Sequence, residues 1–160
     1  MHLYLVQHGE AVPEDIDVNR PLTATGRGDV ERLAQFMQES GVRVDRVVCS
    51  DKLRARTSAD ILAAAIADAA AIQVMEKGLL PKDSTEGLVD KAAEWKDHTL
   101  VVGHQPFMSR FVSRLVLGNE HPLVVDFVPG TAVCLVRRTV TGAWFINWMV
   151  PPELLRRDQP

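Results

Sequence analysis

The chain has 160 residues, of which 46% are hydrophobic and 24% charged, and its net charge is −3. This length predicts one domain over residues 1–150 with a loose polar tail over 151–160, and the composition excludes a collagenous, low-complexity or largely disordered chain. Because Lys and Arg are not in excess, the composition favours neither a nucleic-acid nor a membrane partner. An anionic ligand would have to be held by a few individually placed cations.

The two cysteines and the N-terminus point to the cytoplasm. Cys49 and Cys134 each lie in an apolar, strand-like run, which argues against a disulfide framework or a cysteine metal site. Residues 1–6 are apolar but too short for a signal sequence. No stretch reaches the 18 or so apolar residues of a membrane helix, so we expect a soluble cytoplasmic protein.

The first strand and the first helix are predicted from different hydrophobic patterns. Residues 2–6 (HLYLV) are nearly all apolar and β-prone, which is typical of a parallel strand covered on both faces. Between Thr23 or Thr25 and Ser40, apolar residues recur every third or fourth position and predict a helix that Gly41 ends. Its buried stripe consists of Val30, Leu33, Ala34 and Met37.

A second strand and helix follow, and then a third strand. Residues 45–49 (DRVVC) predict the strand, and Ser50 is a suitable N-cap for the helix after it. The apolar stripe of that helix consists of Leu62, Ala65, Ile66 and Ala69. Residues 72–75 predict a short third strand, and residues 77–86 a loop.

The remaining chain repeats the alternation and then changes to a hairpin. Residues 88–95 predict a helix, 99–102 a buried strand, and Pro106 the first position of another helix, which Gly118 ends. The stripe of this last helix consists of Met108, Phe111, Val112 and Leu115. Two β-rich runs, 131–136 and 143–149, flank Thr141-Gly142 and predict an antiparallel hairpin. This order predicts a three-layer α/β/α sandwich with a mixed, mostly parallel sheet.

Chemically versatile residues follow three of the predicted strands. His8 follows the first strand, Arg54 comes shortly after the second, and His104 follows the fourth, directly before a helix N-terminus. In open α/β sheets ligands bind at the carboxyl ends of the strands, so we expect these side chains to converge. A helix N-terminus there would favour an anion.

Two histidines and an arginine at one site are suited to phosphoryl transfer. A neutral imidazole can attack phosphorus, while a second histidine and an arginine stabilise charge on the phosphoryl oxygens. Gly9 would leave room for phosphate to approach the backbone. This chemistry needs no metal or cofactor. A metal site built from His8, His104 and Cys49 is not supported by any HxxxH or CxxC spacing.

Four segments, spread in order over residues 1–117, resemble the histidine phosphatase superfamily, which has the phosphoglycerate mutase-like fold. The segments are His8-Gly9-Glu10, Pro21-Leu22-Thr23 with Gly26, Ser50 with Arg54, and Gly103-His104. Their order and the short chain look most like the SixA-type phosphohistidine phosphatase branch. The resemblance implies that His8 is the nucleophile, that Arg54 clamps the phosphoryl oxygens and that His104 is the second pocket histidine.

The chain departs from this family at Gln7, where the family motif has arginine. An amide offers neutral donors instead of a charged fork, so transition-state stabilisation should fall. Slow turnover is one consequence, and a phospho-binding protein without turnover is an alternative. We expect Gln7, Gly9 and Ser50 to bind phosphate. Compensating charge could come from Arg20, Lys52 or Arg56.

A general acid is not evident in the sequence. Glu76 and Glu86 are the candidates in the segment after the third strand, and Asp15 or Asp17 could also serve. Because imidazole is a far better leaving group than an alkoxide, the absence of a clear acid favours phosphohistidine over alkyl phosphates. We therefore expect a phosphohistidine-containing protein, such as a phosphotransfer domain, as the partner. A small-molecule phosphomonoesterase is the remaining alternative.

Overall fold

A computed structural model describes residues 1–67 and 72–156, and its strands form a six-stranded sheet. The strands are β1 (His2–Gln7), β2 (Arg46–Ser50), β3 (Ile72–Met75), β4 (Thr99–Gly103), β5 (Ala132–Arg137) and β6 (Trp144–Val150). Their order across the sheet is β3-β2-β4-β1-β5-β6. The first four run parallel, whereas β5 pairs antiparallel with both β1 and β6. The predicted mixed sheet and its terminal hairpin are confirmed.

Helices cover both faces of this sheet. They are α1 (Ala24–Glu39), α2 (Leu53–Ile66), α3 (Glu86–Glu94) and α4 (Phe107–Leu117). Tyr4 and Val6 of β1 join the core under α1 and α2, whereas Leu3 and Leu5 join the core under α3 and α4. This alternation confirms the three-layer sandwich and explains why β1 is apolar throughout. Ala69, predicted in the α2 stripe, lies outside the described residues.

Two predicted helix ends are confirmed and two are corrected. The Thr23 side chain caps α1 by accepting the Gly26 N–H at 2.9 Å, and Gly118 ends α4 with a φ of 79°. Ser50 is not an N-cap, because β2 extends to this fully buried residue and α2 is capped at Lys52. Pro106 is the N-cap of α4 and not its first helical residue.

The expectation of a loose C-terminal tail is wrong for residues 151–156. Residues 152–154 form a short 3-10 helix in which Pro152 is buried. Arg156 then donates two hydrogen bonds, of 2.9 and 2.6 Å, to the buried carboxylate of Asp29 on α1. Polar composition suggested solvent exposure here, but an ion pair fixes the segment. None of the helices in the described residues is long and apolar enough to cross a lipid bilayer.

Candidate active site

The carboxyl ends of β1 and β4 border a cleft of about 260 Å³. Gln7 and Gly103 are paired in the sheet, so His8 and His104 leave adjacent strands at the same level. The cleft is lined by Gln7, His8, Glu10, Ala11, Arg20, Arg54, Pro81, His104, Gln105 and Pro129. The predicted convergence of His8, Arg54 and His104 is therefore seen in the structure.

The His8 side chain is held with its Nε2 atom directed at Arg54. Its Nδ1 atom lies 2.7 Å from the Gly9 carbonyl oxygen, and only a protonated Nδ1 can donate to a carbonyl. Nε2 then carries the free lone pair, and it accepts a hydrogen bond from Arg54 Nε at 3.2 Å. The backbone thus selects the tautomer in which Nε2 is the nucleophilic atom.

Two buried polar atoms in the cleft have no hydrogen-bond partner among the described residues. They are Oε1 of Gln7 and Nε2 of His104. The His104 ring packs edge-on against His8, with 4.8 Å between the ring centroids. A buried polar atom without a partner is costly, and both atoms belong to residues that line the cleft, so a polar ligand is a suitable partner for them. Rotation of the Gln7 amide can present either its oxygen or its NH₂ group to that ligand.

Both histidines are neutral at pH 7. Burial lowers the pKa of His8 to about 4 and the pKa of His104 to about 3, because desolvation disfavours the imidazolium. The positive charges of Arg54 and Arg20 lower both pKa values further, and His8 and Lys52 also lower the pKa of His104. The bond from Nδ1 to Gly9 partly opposes the shift of His8. A neutral imidazole is the form that can act as a nucleophile.

These shifts predict that acidification destabilises the fold well above the range of the carboxylates. The unfolded chain binds protons at these histidines near pH 6.5, whereas the folded chain does so only near pH 4 and below. Stability is therefore present above pH 6.5 and lost as the pH falls, by up to about 1.4 kcal/mol per histidine per pH unit. Urea unfolding between pH 6.5 and 5 measures this slope. It should flatten in a His8→Gln/His104→Gln variant, and an unchanged slope would contradict the assignment.

Gly9 has a packing role in the loop after β1. A Cβ atom at this position would lie 2.6 Å from the Gly26 carbonyl oxygen and 2.8 Å from Val30, so the glycine allows the loop after β1 to pack against α1. Gly9 does not line the cleft. The approach of phosphate to Gly9 stays a prediction, and the structure adds this packing role.

Ser58 is a positioning residue that the sequence did not reveal. This buried side chain on α2 donates to the Arg54 carbonyl at 2.8 Å and accepts the Gly9 N–H at 3.1 Å. It therefore joins the helix that carries Arg54 to the loop that carries His8. Its position four residues after Arg54 allows the bond within the helix, but the contact with Gly9 arises only in the folded chain.

Replacement of Ser58 by alanine is expected to impair both stability and activity. The buried Gly9 N–H loses its acceptor, which should lower the free energy of unfolding by about 1–3 kcal/mol. Displacement of His8 should also lower kcat at least about tenfold. Ser113→Ala is the matched control, because this buried helical serine accepts the Val124 N–H outside the cleft. Equal losses of activity in both variants would show that Ser58 has only a structural role.

Arg20 is the residue that brings a second guanidinium to the cleft. Within residues 1–67 and 72–156, Arg20 is the non-glycine residue that has a positive φ, of 49°. Its Nε donates to the Val12 carbonyl at 3.1 Å. Such a backbone conformation is uncommon outside glycine and often marks a functional constraint. Lys52 and Arg56, the other two cations considered from the sequence, line a neighbouring groove instead. The two arginines that line the cleft are therefore Arg20 and Arg54, and the charge of Lys52 also acts on His104.

The predicted acids and Ser50 do not line the cleft. Glu76 and Glu86 are exposed and do not line the cleft, whereas Pro81, which lies between them in the chain, does. Asp15 and Asp17 are likewise outside the lining. The carboxylate that does line it is Glu10, whose Oε1 accepts a hydrogen bond from the Thr23 hydroxyl at 2.8 Å. Ser50 is fully buried at the end of β2.

Cys49 is part of the core and not of the cleft. It packs in the core beneath α1 and α2, and burial raises the pKa of its thiol to about 11. No group of three or more His, Cys, Asp or Glu residues within residues 1–67 and 72–156 is arranged to hold a metal ion. The arrangement of His8, His104 and Cys49 considered from the sequence is thus not formed.

Comparison with known proteins gives matches over the whole fold. The model of the histidine phosphatase superfamily (branch 1) matches residues 3–77. An uncharacterized protein of Picosynechococcus sp. is 33% identical over 126 residues, which are 74% of this chain and 75% of that protein. Phosphohistidine phosphatase SixA of Escherichia coli is 24% identical over 158 residues, which are 95% of this chain and 94% of that protein. 

A solved structure also matches over nearly the whole length of this chain. The protein histidine phosphatase SixA complexed with tungstate has a TM-score of 0.85 and 21% identity to this chain, covering 98% of this chain and 100% of that one. The segment matched by the family model includes most of β1, which directly precedes His8, and the helix that carries Arg54. With its phosphoglycerate mutase-like sandwich and its family motif, this chain belongs to the histidine phosphatase superfamily.

Proposed function

We propose that this protein is a phosphohistidine phosphatase that acts through a covalent phospho-His8 intermediate. The observation that carries the proposal is the neutral His8, whose Nε2 atom lies next to Arg54 in a cleft that also contains Arg20. A nucleophile without a proton, placed beside two fixed cations, suits attack on a phosphoryl group. Similarity to SixA of Escherichia coli, named a phosphohistidine phosphatase, supports the same reaction class.

The reaction begins with attack of His8 Nε2 on the phosphorus of the substrate. The new bond between His8 Nε2 and phosphorus forms as the bond between phosphorus and the substrate imidazole breaks, and that imidazole takes a proton from solvent. Arg54 transfers its hydrogen bond from Nε2 to a phosphoryl oxygen, and Arg20 contacts another. We assign the remaining oxygens to Gln7 and His104, which line the cleft and have polar atoms without partners. The tungstate complex of SixA supports binding of a tetrahedral oxyanion in such a fold.

Hydrolysis of the intermediate completes the cycle. Water attacks phosphorus, the bond to His8 Nε2 breaks, and inorganic phosphate leaves with the neutral imidazole restored. Both steps break a bond between phosphorus and an imidazole nitrogen, so neither needs an acid strong enough to protonate an alkoxide. Glu10, at the mouth of the cleft, is exposed and lacks the apolar enclosure that is common for a general acid.

The substrate class is tested by comparing phosphohistidine, p-nitrophenyl phosphate and phosphoserine as substrates. We expect kcat/KM for phosphohistidine to exceed that for phosphoserine by about 10²-fold or more, because general acid catalysis is worth about that much for a poor leaving group. Glu10→Gln should leave phosphohistidine hydrolysis within about threefold of the wild type. Efficient phosphoserine hydrolysis that is lost in Glu10→Gln would identify a phosphomonoesterase. Phosphate binding without turnover would identify a phospho-binding protein.

A further inference from the structure

A second groove adjoins the catalytic cleft at Arg54. It has a volume of about 350 Å³ and is lined by Val18, Asn19, Asp51, Lys52, Leu53, Arg54 and Arg56; we call it the Leu53 groove. Its walls are the loop that precedes α1 and the first turn of α2. Because Arg54 lines both cavities, a ligand whose phosphoryl group contacts Arg54 has its neighbouring atoms at the edge of the Leu53 groove.

Two aliphatic side chains of this groove are exposed to solvent. Val18 is 76% exposed and Leu53 is 45% exposed. Neither can bind a phosphoryl oxygen, so the chemistry of the cleft does not account for them. Both line one groove that adjoins the catalytic cleft, so they can contact an aliphatic side chain of a molecule bound there. They match an aliphatic side chain on the occupant.

The charged side chains of the groove indicate the charge of the molecule that it binds. Lys52, Arg54 and Arg56 face one carboxylate, Asp51, which lies 3.3 Å from the Lys52 ammonium. The charge of Glu14 also acts on Arg54 from the loop side. The lining is thus cationic on a chain whose net charge is −3. Charge complementarity favours an acidic partner and disfavours a basic one.

We propose that the Leu53 groove binds the polypeptide that flanks the phosphorylated histidine, through an aliphatic and an acidic side chain about one helical turn from it. This inference rests on the proposed function, because it takes the phosphoryl group to occupy the neighbouring cleft. One turn of a helix advances about 5.4 Å, which carries a flanking residue past Arg54 into the groove. The groove gives selectivity among phosphohistidine proteins, whereas the cleft performs the chemistry.

Binding of two synthetic peptides tests the proposal independently of turnover. Both carry a nonhydrolysable phosphotriazole analogue of phosphohistidine; the first has Leu and Glu one helical turn away, and the second has Ser and Lys there. We expect the wild type to bind the first about tenfold more tightly in fluorescence anisotropy. Leu53→Ser and Arg56→Glu should each reduce this preference at least about threefold, while hydrolysis of p-nitrophenyl phosphate remains at the wild-type rate.

Leu117→Ser is the matched control. Leu117 is also 45% exposed but lies at the far end of α4, so its replacement should leave the preference unchanged. Equal binding of the two peptides by the wild type, or equal effects of Leu53→Ser and Leu117→Ser, would overturn the groove proposal. If the first peptide is preferred but its phosphohistidine counterpart is not hydrolysed, the proposed function fails and the groove proposal stands.

Discussion

His8→Ala is expected to lower kcat for phosphohistidine hydrolysis by about 10³-fold or more, because the reaction loses its nucleophile. In the wild type, the Gly9 carbonyl holds Nδ1 protonated and leaves Nε2 free to attack phosphorus. Release of inorganic phosphate from a phosphohistidine peptide measures the loss.

Isotopic labelling tests the covalent step directly. With a substrate labelled at phosphorus and an alkaline quench, which preserves a bond between phosphorus and imidazole nitrogen, the label should appear on His8 in the wild type. It should be absent from His8→Ala and retained in His121→Ala, since His121 is exposed and outside the cleft. Full activity of His8→Ala, or label on another residue, would contradict the proposed mechanism.

Features that depend on local pattern were predictable from the sequence. The apolar run of β1 and the spaced apolar residues of α1 indicate which faces are buried. Those buried faces determine the three-layer arrangement of helices and sheet. The histidines could be placed for the same reason. His8 and His104 follow buried strands, and parallel strands bring their carboxyl ends to one edge of the sheet.

Features that depend on contacts between distant segments were not predictable. In the sequence Ser58 looks like an ordinary helical serine. Its contact with Gly9, which is 49 residues earlier, forms only in the folded chain. Gly9 itself is required by the carbonyl of Gly26, a contact that no spacing rule reveals. The C-terminal segment looks like a solvated tail because its partner, Asp29, is 127 residues away.

The structure bears on which cation could compensate for Gln7. The family resemblance predicts an arginine at this position, and the sequence offered Arg20, Lys52 or Arg56 as compensating charges. The structure places the guanidinium of Arg20 in the same cleft. Its Nε is anchored to the Val12 carbonyl, which leaves the two terminal nitrogens of the fork free for phosphoryl oxygens.

Arg20→Gln is therefore expected to lower kcat/KM by about 10²-fold or more, as expected for the loss of a preorganised cation from phosphoryl transfer. Gln7→Arg should restore part of this activity in the Arg20→Gln background. In the wild type, Gln7→Arg should raise kcat/KM less than about tenfold, because the missing charge is already supplied. Arg27→Gln is the control, since Arg27 is exposed on α1 outside the cleft and pairs with Glu31 at 3.8 Å.

The four kinetic constants of this double-mutant cycle distinguish compensation from simple loss of charge. If Arg20 substitutes for the motif arginine, the effect of Gln7→Arg is large only when Arg20 is absent, so the two changes are strongly non-additive. If the two positions act independently, Gln7→Arg raises kcat/KM by the same factor in both backgrounds. That second result would show that the phosphoryl group lacks a cation on the Gln7 side, and that slow turnover is a built-in property of this site.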